Sequence, residues 1–331
     1  MSPRRRILPI FVPHAGCPNR CVFCDQKRIS GSSFSASAET VRSALSSVPA
    51  GAGVELAFYG GSFTAIDPAR QEELLSAAKP FRENGTVSSV RISTRPDAVD
   101  ADTVQRLLRH GVGTVELGAQ SMDDKVLRLS GRGHTARDTR RAAALVREAG
   151  LHLILQMMTG LPGSDGDRDM NTAREIAALR PDGVRIYPTV ILRGTELERM
   201  WRSGEYREHT VEEAVSLCSR ILPVFEKAGI PVIRLGLNPS DELSAGEAVA
   251  GAYHPALGEL VRSRILRDRA EELLRGSAPG SDVVLAVAPG RVSAMTGQHR
   301  ENLDYLERRF SLRSVRVRGM AEAGEEILLF S

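Results

Sequence analysis

Three of the four cysteines stand together, in the run His14-Ala15-Gly16-Cys17-Pro18-Asn19-Arg20-Cys21-Val22-Phe23-Cys24, spaced x3 then x2. Thiolates bind metals. Three on one short loop can hold three irons of a [4Fe-4S] cube, because cluster ligands must wrap one compact object. The fourth iron is then open to chelate a small molecule, which suits such a cluster to chemistry beyond electron transfer. Two alternatives use the same residues. A zinc site wants four ligands, and His14 could be the fourth, yet no second CxxC or HxxxH pair follows. A disulfide framework does not suit four cysteines in 331 residues with Cys218 far from the rest.

The elements that must position these thiols alternate in type. Short β-rich runs are predicted at 7–12, 54–59, 89–94, 114–117, 152–157, 183–187 and 231–235, and the cysteines lie on the loop leaving the first. Between them, apolar residues at spacings of three and four predict helices at 38–47, 69–79, 101–110, 136–149, 170–179 and 211–228. Gly111, Gly150 and Gly229 fall just past helix ends, where a left-handed residue is wanted. About six βα units make an α/β fold close to a TIM barrel, read as a partial one, whose catalytic groups would sit on loops at the C-terminal strand ends. After 238 the rhythm changes. Residues 239–255 have no clear period and read as a loop or lid; a basic helix (256–275), strand (283–288), helix (300–309) and strands (314–318, 326–330) then predict a small C-terminal α/β domain. The division is therefore 1–238 and 239–331.

Composition is that of a soluble globular protein, with 42% hydrophobic and 26% charged residues, which argues against extended disorder or a membrane-embedded chain. The early apolar run at 7–12 is interrupted by Pro9, followed by Pro13, and is too short for a spanning helix or a signal segment. A cytoplasmic location is expected, without membrane contact. The net charge of +3 is unevenly spread: between Arg262 and Arg318 twelve arginines face seven acidic side chains, leaving the rest of the chain acidic. In 256–275, Asp268, Glu271 and Glu272 interleave the arginines, so a solvated helix is the plain reading and RNA contact the sharper one.

The cysteine spacing, with Phe23 before the last cysteine, resembles the radical S-adenosylmethionine (radical SAM) superfamily. The resemblance extends along the chain. Tyr59-Gly60-Gly61-Ser62-Phe63-Thr64 looks like the glycine pair whose backbone holds the SAM amino group. Gln120 and Gln156 resemble ribose contacts, and Arg132, in Arg132-Gly133-His134-Thr135, resembles the arginine that receives the SAM carboxylate; its fork pairs a carboxylate in two parallel bonds. Within the superfamily, Ser93-Thr94-Arg95-Pro96-Asp97, Glu116 to Ser121, Gly160-Leu161-Pro162-Gly163 and Tyr187-Pro188-Thr189 are similar to landmarks of the radical SAM domain of the Elongator catalytic subunit. Ser93 stands where that family commonly has a glutamate, a ribose contact, and no acetyl-CoA-binding pattern follows. Gly251-Ala252-Tyr253-His254-Pro255 resembles the tail of standalone bacterial Elongator-like radical SAM proteins. Oxygen-independent coproporphyrinogen oxidase is a looser match.

The resemblance implies a [4Fe-4S] cluster on Cys17, Cys21 and Cys24. It places SAM against Phe23, Gly60, Gly61, Ser62, Ser93, Gln120, Arg132 and Gln156. The implied reaction is reductive cleavage to a 5′-deoxyadenosyl radical that abstracts hydrogen, so no side chain has to be a general base. A one-electron donor such as flavodoxin or ferredoxin is implied as partner, with RNA, tRNA in particular, as the expected substrate. A porphyrin-like or other small metabolite is the alternative, and a non-catalytic zinc-bound RNA-binding module is an alternative of another class.

Overall fold

The β-rich runs form strands β1 (Ile7–Phe11), β2 (Val54–Tyr59), β3 (Val87–Thr94), β4 (Val112–Gln120), β5 (His152–Thr159), β6 (Gly183–Pro188) and β8 (Val232–Leu235), joined in that order in one parallel sheet. The computed structural model describes residues 6–12, 21–24, 36–237, 246–324 and 326–330. Helices in the crossovers cover the outer face, as parallel strands require. Their starts are written in the sequence: Asp100 accepts the Thr103 amide at the helix Ala101–Arg109, and Thr135 forms a capping box with Asp138 at Ala136–Glu148. The fold is the expected partial barrel. Leu56, Ile92, Leu117, Leu153 and Leu155 are fully buried.

The sheet curls. Four strand spacings separate β2 from β6, roughly 19 Å in a flat sheet, yet Arg185 Nη2 of β6 lies 3.4 Å from the Tyr59 hydroxyl of β2. An unbroken set of charges lines the inner face: Arg91 pairs with Glu55 at 2.9 Å and with Glu116 at 3.6 Å, and Glu116 pairs with Arg185 at 3.0 Å.

Two short strands were not expected. β7 (Val190–Leu192) and β9 (Ala248–Gly251) pair antiparallel, so part of the segment read as a loop or lid is strand. Three or four residues are too few to show a period, and the pairing is what makes them regular. Contact density divides the chain into Met1–His209 with Val224–Leu235 and Pro239–Ala252, and Thr210–Pro223 with Gly236–Asn238 and Tyr253–Ser331. The second unit holds the helix Leu257–Leu274 and a sheet of β10 (Asp282–Val287) between β11 (Ser314–Gly319), parallel to it, and β12 (Leu328–Phe330), antiparallel. Leu266, Leu274, Leu285, Met295 and Leu306 form its core, and the buried Asn302 amide donates to the Ser263 and Met295 carbonyls.

Leu117→Ala, at a fully buried position of the middle strand, is expected to lower the unfolding free energy by about 2–5 kcal/mol. Leu108→Ala, on a half-exposed helix face, should cost less than about 1 kcal/mol. Urea unfolding followed by fluorescence of Trp201, the sole tryptophan, reads both in the first unit.

Candidate active site at the strand ends

Cys21 and Cys24 sit in a tight turn, with the Cys24 amide on the Cys21 carbonyl at 3.0 Å. Two backbone bonds tie the turn down: the Val22 amide donates to Ser130 O and the Leu197 amide to Val22 O. Phe23 packs beside Val126, Met158 and Leu161. Cys21 is buried and Cys24 half-buried. Cys17 and His14 lie outside the described residues.

Arg132 joins this turn to the sheet. Its Nη1 donates to Cys21 Sγ at 3.4 Å and its Nη2 to Gly118 O at 2.7 Å, while its buried Nε has no partner among the described residues. The arginine expected to meet a carboxylate thus stands against the Cys21 thiol, with one donor unspent. β4 bulges there: Gly118 opposes Gln156, the next pair is Gln120 with Met157, and Gln120 has φ +64°. A left-handed glutamine is strained by about 1 kcal/mol or more, and two side chains brace it, half-buried Arg132 and buried His134. Arg132 holds the 118 carbonyl, and the His134 ring, through Nε2, holds Ala119 O at 3.1 Å. The braced Gln120 Oε1 accepts from Gln156 Nε2 at 3.4 Å.

The loop after β2 is fastened by hydroxyls. Thr94 Oγ1 lies 2.9 Å from Ser62 Oγ and 2.6 Å from Thr64 Oγ1, and Ser62 Oγ accepts the Arg95 amide. Gly60 has φ +87°, and a Cβ there would meet Phe11 at 3.2 Å, so this turn needs glycine. Ser93 is half-buried on β3, in register with Glu116. Gly60, Gly61 and Ser62 therefore follow β2, Ser93 is the penultimate residue of β3, Gln120 ends β4 and Gln156 lies on β5.

The residues fit a cluster and SAM. The described donors include two thiols, the ligand type that iron–sulfur cubes take, with a guanidinium at one of them. A Cβ on Gly118 would stand 3.0 Å from Gln120 Nε2 and 3.5 Å from Arg132 Nη2, so glycine keeps that cradle clear. Thr64, Thr94 and His134 are not among the site residues expected from the sequence; Thr94 reaches Ser62 through its hydroxyl and Thr64 through hydroxyl and amide, and His134 holds the carbonyl next to Gln120. A cleft of about 910 Å³ lies between the helices Asp124–Leu129 and Gly166–Ala178. Its Arg168 is already paired with Asp123 and Asp165, and neither the thiols nor Arg132 line it.

Two buried groups near the site have displaced titrations. Burial, helped by Arg132, pushes His134 down to about 4, so the ring is neutral. Asp169 accepts from the Gly160 amide and Ser164 Oγ, holding the loop that carries Leu161, and burial pushes it up to about 6.

Residues 11–176 match the Radical SAM superfamily and residues 181–267 the Radical SAM C-terminal domain. The tRNA uridine(34) acetyltransferase of Methanocaldococcus jannaschii is 31% identical over 228 residues, 63% of this chain and 41% of that protein. Elongator complex protein 3 of Schizosaccharomyces pombe is 32% identical over 169 residues, 50% of this chain and 31% of that one. The chain thus spans less than half the length of these relatives. The structure of the archaeal Methanocaldococcus infernus Elp3 with an N-terminal deletion superposes with a TM-score of 0.62 at 26% identity, covering 82% of this chain and 64% of that one. Coproporphyrinogen III oxidase (HemN) from Escherichia coli, at 18% identity and a TM-score of 0.53 over 68% of this chain and 53% of that one, shares the fold.

Neutral His134 contributes stability above its ordinary 6.5, lost as pH falls toward about 4. Asp169 runs the other way, contributing stability below its ordinary 3.8 that is lost as pH rises through about 6. Each contribution is about 3 kcal/mol, so between pH 4 and 6 they offset each other. Relative to wild type, His134→Gln should lose stability as pH rises across that interval and Asp169→Asn should gain it. Urea midpoints from pH 4 to 6.5 test this; parallel profiles for all three proteins would refute it.

Proposed function

Because this chain belongs to the radical SAM superfamily and is a radical SAM enzyme, we propose that the strand-end site binds its cluster and SAM and that its substrate is an RNA, tRNA in particular. Cys17, Cys21 and Cys24 hold the [4Fe-4S] cluster, with Phe23 packing the turn. When bound, the cluster and SAM supply one-electron reductive cleavage of the SAM C5′–S bond and the hydrogen-atom abstraction that follows.

The remaining work belongs to the protein. The backbone of Gly60 and Gly61, with Ser62, receives the amino group of SAM. The carboxylate meets Arg132, whose Nε is unspent, while Gln120, Gln156 and Ser93 offer hydrogen bonds to the ribose. In Ser93 this contact is shorter and uncharged. A protein electron donor such as flavodoxin or ferredoxin reduces the cluster. Residues 1–238 carry this machinery, and 239–331 add a strand segment and the basic unit.

The observation that carries the site is the Arg132 guanidinium joining a cluster thiol to the β4 bulge. Three things support RNA: the relatives named for tRNA uridine(34) and for Elongator complex protein 3, the pI near 8.8, and the excess of arginine after residue 261. Among the described residues no helix is long and apolar enough to cross a membrane.

After anaerobic reconstitution with iron and sulfide, the reduced wild type is expected to form 5′-deoxyadenosine from SAM, and the Cys17, Cys21, Cys24 triple alanine variant none. A colourless protein holding stoichiometric zinc and forming no 5′-deoxyadenosine would overturn the site assignment. Affinity for tRNA should fall roughly tenfold or more between 50 and 200 mM salt, if about three phosphates are neutralised. A flat salt response would remove RNA as the substrate.

A further inference from the structure

Inside the half-barrel, three hydrogen-bond donors converge. Arg185 of β6 donates from Nη1 to the Tyr187 hydroxyl at 3.3 Å and from Nη2 to the Tyr59 hydroxyl at 3.4 Å. Both bonds are long for a charged donor, whose bonds to a carboxylate or phosphate are ordinarily about 2.7–2.9 Å. Its Nε pairs with Glu116 at 3.0 Å. Each phenol oxygen accepts from the arginine, but neither hydroxyl proton has an acceptor among the described residues, and a tyrosine hydroxyl can both accept and donate.

The charges point the same way. Glu116 is the only carboxylate that pairs with Arg185 among the described residues. Glu116 is shared between Arg185 and Arg91. We propose that Arg185, Tyr59 and Tyr187 form a subsite that takes an anionic oxygen of the substrate, a phosphate or a carboxylate. The guanidinium supplies charge, and the two hydroxyls turn their protons to the incoming oxygen.

Burial raises the pKa of both tyrosines, so each keeps its proton at neutral pH. Burial opposes the Arg185 charge, but Glu116 and the phenols outweigh it and hold the guanidinium above its ordinary pKa. The subsite also adjoins the proposed cofactor loops. Tyr59 immediately precedes Gly60, and Tyr187 packs in the cluster that includes Phe23. An oxygen held here would anchor a substrate beneath the strand-end mouth, away from the thiols but within one molecule's reach of them. The inference rests on the reading of that mouth as the place where the enzyme works.

Tyr59→Phe/Tyr187→Phe removes two hydroxyls and leaves the Arg185–Glu116 pair intact, so thermal melts and far-UV spectra should match wild type. Binding of inorganic phosphate and of propionate to the full chain, by calorimetry with and without SAM, is the test. Wild type should bind at least one of them, and the double variant should bind it at least tenfold more weakly, as expected for two lost bonds to a charged group. Preference for phosphate assigns the oxygen to a nucleotide backbone, and preference for propionate to a small carboxylate metabolite. Wild type that binds neither anion, or a double variant that binds unchanged, overturns the subsite. So does displacement of the anion by SAM, which would make these residues part of the cofactor's own site. Formation of 5′-deoxyadenosine is scored separately: a wild type that forms it without binding either anion loses the subsite and keeps the enzyme assignment.

Discussion

A parallel sheet that curls without closing has one face covered by helices and one that is inside the molecule yet must admit a substrate. Here the second face is held by the run Glu55–Arg91–Glu116–Arg185 across β2, β3, β4 and β6. Apolar side chains would pack that interior solid, as in a closed barrel. Paired charges keep it polar at the cost of desolvation, which their mutual attraction offsets only when every member is present. Losing one member would leave a buried charge alone, at a cost of about 3–5 kcal/mol, so the four residues behave as a unit. Burial pushes the Glu116 carboxyl upward while Arg185 and Arg91 oppose it. The same pairing fixes how tightly the sheet curls, because the Arg185 that holds Glu116 also reaches Tyr59 on the far side.

The strand ends depend on that curl and are built differently. Their side chains act mostly on backbone: Arg132 and His134 on the carbonyls of the β4 bulge, Ser62 on the Arg95 amide, Asp169 on the Gly160 amide. Each is a buried or half-buried polar group whose removal would release a main-chain group rather than a ligand, which explains how a strained Gln120 persists. Functional strain lasts where its surroundings over-determine it, and two independent braces on consecutive carbonyls do so.

The hydrophobic rhythm of the chain made all seven strands of the large sheet legible, because each is a run of four or more β-forming residues between amphipathic helices, several of them closed by glycine. The cysteine triplet stands out by spacing alone, because thiols that are to hold one compact cluster must be close in sequence; of the three, Cys21 and Cys24 lie among the described residues. What escaped notice is non-local. Arg132 meets Cys21 across 111 residues of chain, and the Thr94 hydroxyl gathers Ser62 and Thr64 from another strand end. β7 and β9 are regular only because they pair with each other. One signal was present: Glu55, Glu116 and Arg185 stand in strands rich in apolar residues, and Arg91 in a strand that alternates apolar with polar residues. Parallel strands covered on both faces carry near-continuous hydrophobic runs, so a charge in the middle of each of four such strands marks a face that is not filled by core.

That pattern also separates the fold from its use. The helix-covered face, with Leu56, Ile92, Leu117 and Leu153 fully buried, would serve any partial barrel of this size. The inner face has no comparable generality. Glu55 and Glu116 bracket Arg91 on β2 to β4, and Glu116 also pairs with Arg185 of β6. The Arg185 flank is the one with Tyr187, which packs in the same cluster as Phe23, and the Glu55 flank leads to the glycine loop after β2. An interior with two carboxylates around one arginine on one flank, and a guanidinium bonded to two phenols on the other, offers an anionic molecule a favourable side only at the second. The charges that keep the barrel from packing shut therefore also set the direction from which a substrate's negative end approaches.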